Sequence, residues 1–98
     1  MKFLLCLLVS VDLGSLLLGS PISRIAFGSC ARQSMEQPIW NAIGQFEPEV
    51  WIWLGDNIYG DTAVPEILAR KYAIQKAQSG YSELRENCQV IGIWDDHD

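Results

Sequence analysis

Three short apolar runs stand out along the chain, at residues 24–27, 50–54 and 89–94. Each has the length of a strand, and each is followed by glycine or by polar residues that favour a turn. The middle run is apolar at every position, which is typical of a strand buried on both faces in a parallel sheet. The runs therefore predict three strands, with residues 50–54 as the central one.

A first helix is predicted between the first two strands. Ser34 and Gln37 have the spacing of a capping box, and Pro38 is tolerated in a first turn. The apolar face of this helix is predicted to comprise Ile39, Ile43 and Phe46, with Trp40 beside them. Pro48 marks the end, because the residue before a proline avoids helical backbone angles.

A second helix is predicted at residues 65–79, and a short further helix at 82–87. Pro65 and Glu66 suit a first turn, and Gly80 is the expected stop. The apolar side of the second helix is predicted to comprise Ile67, Leu68, Tyr72 and Ile74. The order β-α-β-α-β implies parallel strands joined by right-handed crossovers, and hence an α/β fold class.

The first segment, residues 1–20, has the pattern of a secretory signal peptide. Lys2 gives a positive start, residues 3–9 an apolar stretch, and residues 14–20 small side chains near a cleavage site. Asp12 interrupts the apolar stretch, which argues against a stable membrane span. The expected location is therefore secreted or in an endomembrane lumen, with a retained N-terminal segment as the alternative.

The composition is that of a globular chain, with 49% hydrophobic and 19% charged residues. The net charge of −5 and the lack of basic clusters disfavour binding to a nucleic-acid backbone. Residues 21–98 are short for a whole domain, and the chain ends inside its most polar cluster. The sequence is therefore expected to be the N-terminal part of a longer protein.

Polar side chains that are capable of chemistry follow each predicted strand. They are Cys30 after the first strand, Asp56 and Tyr59 after the second, and Asp95, Asp96, His97 and Asp98 after the third. The carboxyl ends of parallel strands share one rim of the sheet, where α/β folds bind their ligands. Carboxylates that lie close together repel unless a cation lies between them. The sequence therefore predicts a metal centre at this rim.

The residue types leave the identity of the metal open. The thiolate of Cys30 favours a transition metal, whereas carboxylates suit calcium, magnesium, manganese or iron. Asp56 could bridge two ions, and a pair of ions can clamp the attacking and leaving oxygens of a phosphoryl transfer. His97 could then protonate a leaving alkoxide or hold the phosphate.

Cys30 also has other interpretations. It could be a buried apolar side chain, or it could form a disulfide with Cys88 in an exported protein. It could instead be the nucleophile of a cysteine hydrolase, with His97 as its base. A non-catalytic, secreted metal-binding protein is a further alternative.

Several other residues have simpler structural interpretations. Asn57 and Asp61 are interpreted as turn formers. Tyr59, taken alone, would suit the core or the rim of the sheet. The four tryptophans are all expected in the core: Trp40, Trp51, Trp53 and Trp94.

Three motifs in the chain resemble those of a known enzyme family. They are Phe27-Gly28-Ser29-Cys30, Leu54-Gly55-Asp56-Asn57-Ile58-Tyr59-Gly60-Asp61 and Trp94-Asp95-Asp96-His97-Asp98. In this order and spacing they resemble the alkaline phosphatase D (PhoD-like) metallophosphatases, which are distant relatives of the calcineurin-like phosphoesterases. The resemblance covers residues 24–98.

The resemblance implies a fold, a reaction and a metal. The fold would be the N-terminal β-α-β-α-β portion of a calcineurin-like four-layer α/β sandwich. The reaction would be hydrolysis of phosphodiesters or phosphomonoesters, with iron and calcium as the expected metals, in an exported protein. The later asparagine, aspartate and histidine residues of the family have no counterpart among these 98 residues, so a fragment that is inactive alone is a further expectation.

The resemblance also implies roles for individual residues. The metal ligands of the family are matched by Cys30, Asp56 and Tyr59. Asp95 or Asp96 would supply the next ligand, and the position of Asp96 favours it over its neighbour. His97 matches the catalytic histidine.

Overall fold

A three-stranded parallel sheet and three helices make up the described part of the chain, residues 19–98, in this computed structural model. The strands are β1 (Ile25–Gly28), β2 (Val50–Leu54) and β3 (Gln89–Ile93), and the helices are α1 (Ile39–Phe46), α2 (Pro65–Lys76) and α3 (Ser79–Asn87). The predicted signal peptide lies outside the described residues, except for Gly19 and Ser20. None of the helices in residues 19–98 is long and apolar enough to cross a membrane.

The strands lie in the order β1-β2-β3, so the predicted parallel sheet with residues 50–54 at its centre is confirmed. Two glycines on the outer strands allow those strands to approach the tryptophans of β2 closely. A Cβ atom on Gly28 would lie 2.8 Å from the ring of Trp51, and one on Gly92 would lie 2.5 Å from Cβ of Trp53. Small residues on β1 and β3 therefore allow large ones on β2.

One face of the sheet carries the core. Its buried members are Trp40 from α1, Trp51 and Trp53 from β2, and Tyr81 and Leu84 from α3. The rings of Trp40 and Trp51 meet edge to face with centroids 4.9 Å apart, and Trp53 donates a hydrogen bond from Nε1 to the Tyr81 hydroxyl at 3.0 Å. Aromatic pairs of this kind stabilise a core beyond the area that they bury.

The opposite face of the sheet is apolar and uncovered in the described part of the chain. Its five exposed side chains are between 46% and 67% exposed: Ile25, Phe27, Leu54, Ile91 and Ile93. The register places Phe27 beside Ile52, and Ile52 beside Ile91, on this face. A parallel sheet normally has both faces covered, so this face is a surface that a further layer can bury.

Helix α1 lies where the sequence predicts it, and Ile43 of its predicted apolar face packs against the core, but the rest of that face is exposed. Ile39 and Phe46 are 59% and 51% exposed, whereas Trp40 is only 3% exposed. The helix turns Trp40 inward because its indole packs against the two indoles of β2. The larger aromatic surface decides which side of the helix is buried.

The predicted capping box of α1 is also absent, because Pro38 occupies the N-cap position and no side chain caps the described helix. Gln37 instead exchanges two hydrogen bonds with Gln75 of α2. Nε2 of Gln37 donates to Oε1 of Gln75 at 2.7 Å, and Nε2 of Gln75 donates back to Oε1 of Gln37 at 2.8 Å. Gln75 is 2% exposed, so this pair satisfies amides that are buried between the helices.

The sequence predicted that Gly80 would end the second helix, and this prediction was wrong. Helix α2 ends at Lys76, the extended backbone of Gln78 (ψ 127°) separates it from α3, and Gly80 lies in the first turn of α3. A Cβ atom on Gly80 would lie 2.6 Å from Cβ of Trp40. This glycine therefore serves the close approach of α3 to α1, and not the end of a helix.

Trp94 is not a core residue, so the prediction that all four tryptophans are buried was wrong. Strand β3 ends at Ile93, one residue earlier than predicted, and Trp94 is 80% exposed.

Candidate metal centre

The carboxyl ends of the three strands meet at one rim, and backbone hydrogen bonds tie their loops together. The amide of Ala31, after β1, donates to the carbonyl of Asp56, after β2, at 3.0 Å. The amide of Gly60 in turn donates to the carbonyl of His97, after β3, at 2.7 Å. The three loops are therefore held as one unit.

Asp56, Asp96 and His97 each offer a ligand atom at this rim, and these atoms all lie within 4.8 Å of one another. Ligands on opposite sides of a calcium ion lie about 4.8 Å apart, since each is about 2.4 Å from the ion. Two carboxylates and an imidazole are also chemically suited to a divalent or trivalent cation. The spacing and the donor types therefore fit a metal ion.

Cys30 joins this group through Asp56. Its Sγ lies 3.8 Å from Oδ2 of Asp56, and Ser29 donates a hydrogen bond to the same sulfur at 3.5 Å. Cys30 is exposed and Cys88 is half-buried, and both are free thiols. Cys88 precedes β3 whereas Cys30 follows β1, so they lie at opposite ends of a parallel sheet and cannot pair. Both the buried and the disulfide interpretations of Cys30 were therefore wrong.

The phenol of Tyr59 lies in the same group. Its ring centroid is 4.5 Å from that of His97. Partial burial raises the pKa of Tyr59, and the charge of Cys30 and a hydrogen bond with it raise the pKa further. The tyrosine is therefore a neutral phenol at neutral pH unless a cation at the rim draws off its proton.

Asp95 and Asp96 face different surroundings. Oδ1 of Asp95 accepts a hydrogen bond from the amide of Asp96 at 2.9 Å, and its Cβ packs where a side chain on Gly55 would lie, 2.6 Å away. Asp96 instead contributes to the group of ligand atoms. Asp95 therefore shapes the loop after β3, whereas Asp96 offers its carboxylate to a metal ion.

His97 is held by a residue that the sequence had suggested only as a turn former. Its Nδ1 lies 2.5 Å from Oδ1 of Asp61, while its Nε2 is 4.0 Å from Oδ2 of Asp96. The hydrogen bond with Asp61 raises the pKa of His97, and the nearby carboxylates add to this. The position of Asp61, five residues after Asp56 in the same loop, was the available signal for this role.

Replacing Asp61 by asparagine should lower the pKa of His97 toward its ordinary value of about 6.5, because the charged partner of the imidazolium is lost. His97 is the one histidine of the chain, so its ring proton resonances can be followed by NMR without ambiguity. Chelator should be present throughout the pH titration. Asp95→Asn is the matched control and should leave the midpoint unchanged. An unchanged midpoint in Asp61→Asn would show that Asp61 does not hold the ring.

Asp98 holds the loop after β2 through hydrogen bonds to its backbone. Its Oδ1 accepts hydrogen bonds from the amides of Asn57 (2.7 Å) and Ile58 (3.2 Å), and its Oδ2 accepts one from the amide of Asp95 (2.9 Å). The hydroxyl of Tyr72 also donates to Oδ1 of Asp98 at 3.2 Å. Burial, together with the charge of Asp98, raises the pKa of Tyr72 to about 12. Tyr72 therefore stays a hydrogen-bond donor at any physiological pH.

Gln33 also holds the loop after β2, and no pattern in the sequence predicted this role. Its Nε2 donates to the carbonyl of Tyr59 at 3.0 Å, and its Oε1 accepts from the amide of Tyr59 at 2.8 Å. Gln33 is only 7% exposed. The side-chain amide thus acts like the edge of a neighbouring strand and fixes the backbone of Tyr59.

Three rim residues have left-handed backbone angles, with φ of 61° at Cys30, 50° at Asp56 and 49° at Asp61. This conformation costs a residue with a side chain about 1 kcal/mol. Such residues cluster at functional sites, where the surrounding structure imposes them. The rim loops are therefore shaped to aim these side chains at one another.

Comparisons of the chain with protein-family models, with curated proteins and with solved structures give no match. The chemistry of the site is therefore inferred from the rim itself. The sequence-predicted residues that the structure brings together there are Cys30, Asp56, Tyr59, Asp96 and His97. Asp95 is the exception, because its carboxylate caps the backbone.

Proposed function

We propose that this chain carries the strand-end metal site of a phosphoesterase of the PhoD-like kind, hydrolysing phosphodiesters or phosphomonoesters. The observation that supports it most is the convergence of Asp56, Asp96 and His97, with ligand atoms within 4.8 Å, from two different strand ends. Cys30 adds a thiol from the loop after the remaining strand, β1. Residues that lie far apart in the sequence are thus assembled where a parallel sheet presents its ligands.

Under this proposal, Cys30, Asp56, Tyr59 and Asp96 hold the metal, which would be iron with calcium. Asp56 could offer both carboxylate oxygens to metal, since its Oδ2 faces the Cys30 thiol while its Oδ1 accepts from the amide of His97 at 3.4 Å. A metal bound there supplies positive charge that stabilises the phosphoryl oxygens during displacement.

His97 is the proposed general acid. Asp61 occupies its Nδ1, which leaves Nε2 free to donate a proton. As the bond from phosphorus to the leaving oxygen breaks, that proton goes to the leaving oxygen; water supplies the new oxygen on phosphorus, and a proton lost by that water restores the protonated His97. A histidine that is oriented through its other nitrogen by a carboxylate is well suited to this role.

The uncovered apolar face of the sheet supports the finer proposal of a four-layer α/β sandwich. In that architecture a second layer covers the face that carries Phe27, Ile91 and Ile93. Within residues 19–98 these side chains are about half exposed or more, which is unusual for a parallel sheet.

Hydrolysis of bis(p-nitrophenyl) phosphate, measured with and without chelator, tests the function. We expect turnover that chelator abolishes and that iron with calcium restores. Cys30→Ser should lower turnover, and Cys88→Ser, which removes a thiol away from the rim, should leave it unchanged.

The alternatives give different results in the same assay. Chelator-resistant turnover that is lost in Cys30→Ser would instead identify a cysteine hydrolase. Tight metal binding without turnover would fit a non-catalytic metal-binding protein, or the expected phosphoesterase fragment that is inactive alone. The geometry disfavours the cysteine hydrolase, because in residues 19–98 the thiol of Cys30 contacts Ser29 and Asp56 and has no hydrogen bond with His97.

A further inference from the structure

A cleft of about 730 Å³ lies between β1 and α1. Its floor consists of the buried indoles of Trp40, Trp51 and Trp53, and its walls include two apolar side chains that are 60% and 59% exposed, Met35 and Ile39. The volume is within the range of small-molecule sites, roughly 300–1,000 Å³. Large apolar side chains that gather around one cleft, and are not scattered, mark a binding surface.

One end of this cleft reaches the candidate metal centre at Cys30. Ser29, Cys30 and Arg32 line it, and Cys30 is one of the proposed metal ligands. The guanidinium of Arg32 stacks 4.5 Å from the ring centroid of Tyr59. None of the salt bridges among residues 19–98 involves Arg32, so its charge is available to an anion at the boundary between the cleft and the rim.

The distribution of charge along the cleft defines what it can bind. Arg32 is placed at the rim, among the loops that hold the carboxylates, and suits a phosphate oxygen. The remainder is apolar except for Glu36 and Gln37 beside the start of α1, and the carboxylate of Glu36 disfavours a second anionic group. The matching ligand is therefore anionic at one end, and uncharged and apolar at the other.

We propose that this cleft binds an uncharged, aromatic-sized substituent of the phosphate ester, with Arg32 at its mouth pairing with the phosphate group. This inference rests on the proposed phosphoesterase function and adds the substrate class to it. Arg32 and Ile39 are then specificity-determining residues: Arg32 recognises the anion, and Ile39 contacts the apolar group.

Binding of two non-hydrolysable probes, 1-naphthylphosphonate and methylphosphonate, tests this inference by calorimetry on the full chain with calcium present. We expect the naphthyl probe to bind at least about tenfold more tightly, because it buries an aromatic surface that the methyl probe lacks. The ratio of the two affinities is the readout. The contribution of the phosphonate, with or without a bound ion, is common to both probes and cancels.

Two variants separate the roles of the cleft residues. Ile39→Ala should weaken the naphthyl probe about tenfold and leave the methyl probe unchanged. Arg32→Gln should weaken both probes by about the same factor, on the order of tenfold. Ile74→Ala is the matched control, because Ile74 is 51% exposed on α2 and does not line the cleft.

Equal affinity for the two probes, or equal effects of Ile39→Ala and Ile74→Ala, would overturn the inference. These outcomes are independent of turnover. Metal-dependent hydrolysis without any preference for the naphthyl group leaves the phosphoesterase proposal intact and removes the cleft as a substrate site. A naphthyl preference that Ile39→Ala abolishes, in a protein without metal-dependent hydrolysis, retains the cleft and removes the phosphoesterase proposal.

Discussion

Metal binding should weaken by at least about 100-fold, and metal-dependent hydrolysis should be lost, when Asp56 is replaced by asparagine. Asp56 lies at the centre of the rim, with one oxygen facing Cys30 and the other accepting from the amide of His97. Asparagine keeps the shape of the side chain but removes its charge. It also tolerates the left-handed backbone at this position, φ 50°, so the loop should keep its path.

The matched control for this variant is Glu66→Gln, which removes the same charge from an exposed side chain in the first turn of α2. Metal affinity is measured by calorimetry, hydrolysis with the nitrophenyl diester, and folding by the urea midpoint. Glu66→Gln should leave metal affinity and hydrolysis unchanged, and should lower the free energy of unfolding by no more than about 1 kcal/mol, because it removes a carboxylate from the first turn of a helix. If Asp56→Asn binds iron or calcium as tightly as the unaltered chain, the metal centre does not lie at this rim.

Trp40→Ala should lower the free energy of unfolding by about 3–5 kcal/mol. The indole of Trp40 contacts the rings of Trp51, Trp53 and Tyr81, so its loss leaves a cavity at the centre of the core. The substitution also removes the donor to Gln37. Small domains have only about 5–15 kcal/mol of stability in total, so this one change should bring the chain close to unfolding.

Ile39→Ala is the control for Trp40→Ala, because the two residues are adjacent in α1 and Ile39 is 59% exposed. It should change the free energy of unfolding by less than about 0.5 kcal/mol. Urea denaturation followed by circular dichroism gives both values. Trp40→Phe provides an intermediate loss if the alanine variant does not fold. Equal losses for the two alanine variants would mean that Trp40 is not the centre of the core.

The sheet and its rim could be predicted from the sequence because they follow from simple rules. Apolar runs of strand length, separated by helical segments, imply parallel strands. Parallel strands in turn place their carboxyl ends on one edge, so the approach of Cys30, Asp56 and His97 follows from topology alone. The preference for Asp96 over Asp95 came from the family resemblance, and the geometry places Asp96 with the other donors.

The support of the rim could not be predicted, because it depends on the path of the loops. The contact between Asp61 and His97 requires the left-handed backbone at Asp56 and Asp61. The hold of Gln33 on Tyr59 likewise depends on how two loops cross. A sequence pattern reports which residues lie on a strand, whereas these contacts are set by turns between strands.

The errors in helix orientation have a different cause. Periodicity assigned Ile39 and Phe46 to the buried side of α1, but four aliphatic or aromatic positions in eight residues leave more than one possible buried side. The buried side of α1 is determined by Trp40, because its indole packs against the two indoles of β2. Gly80 was misread for a similar reason, since its role is contact with Trp40.

The uncovered sheet face has a consequence for the behaviour of the chain at high concentration. Two opposing forces act between copies: the net charge of −5 keeps them apart, and the apolar face draws them together. Added salt screens only the repulsion, over a distance of about 8 Å at physiological ionic strength. Solubility should therefore fall as salt is raised, so dilute, low-salt buffers are the conditions in which single molecules persist.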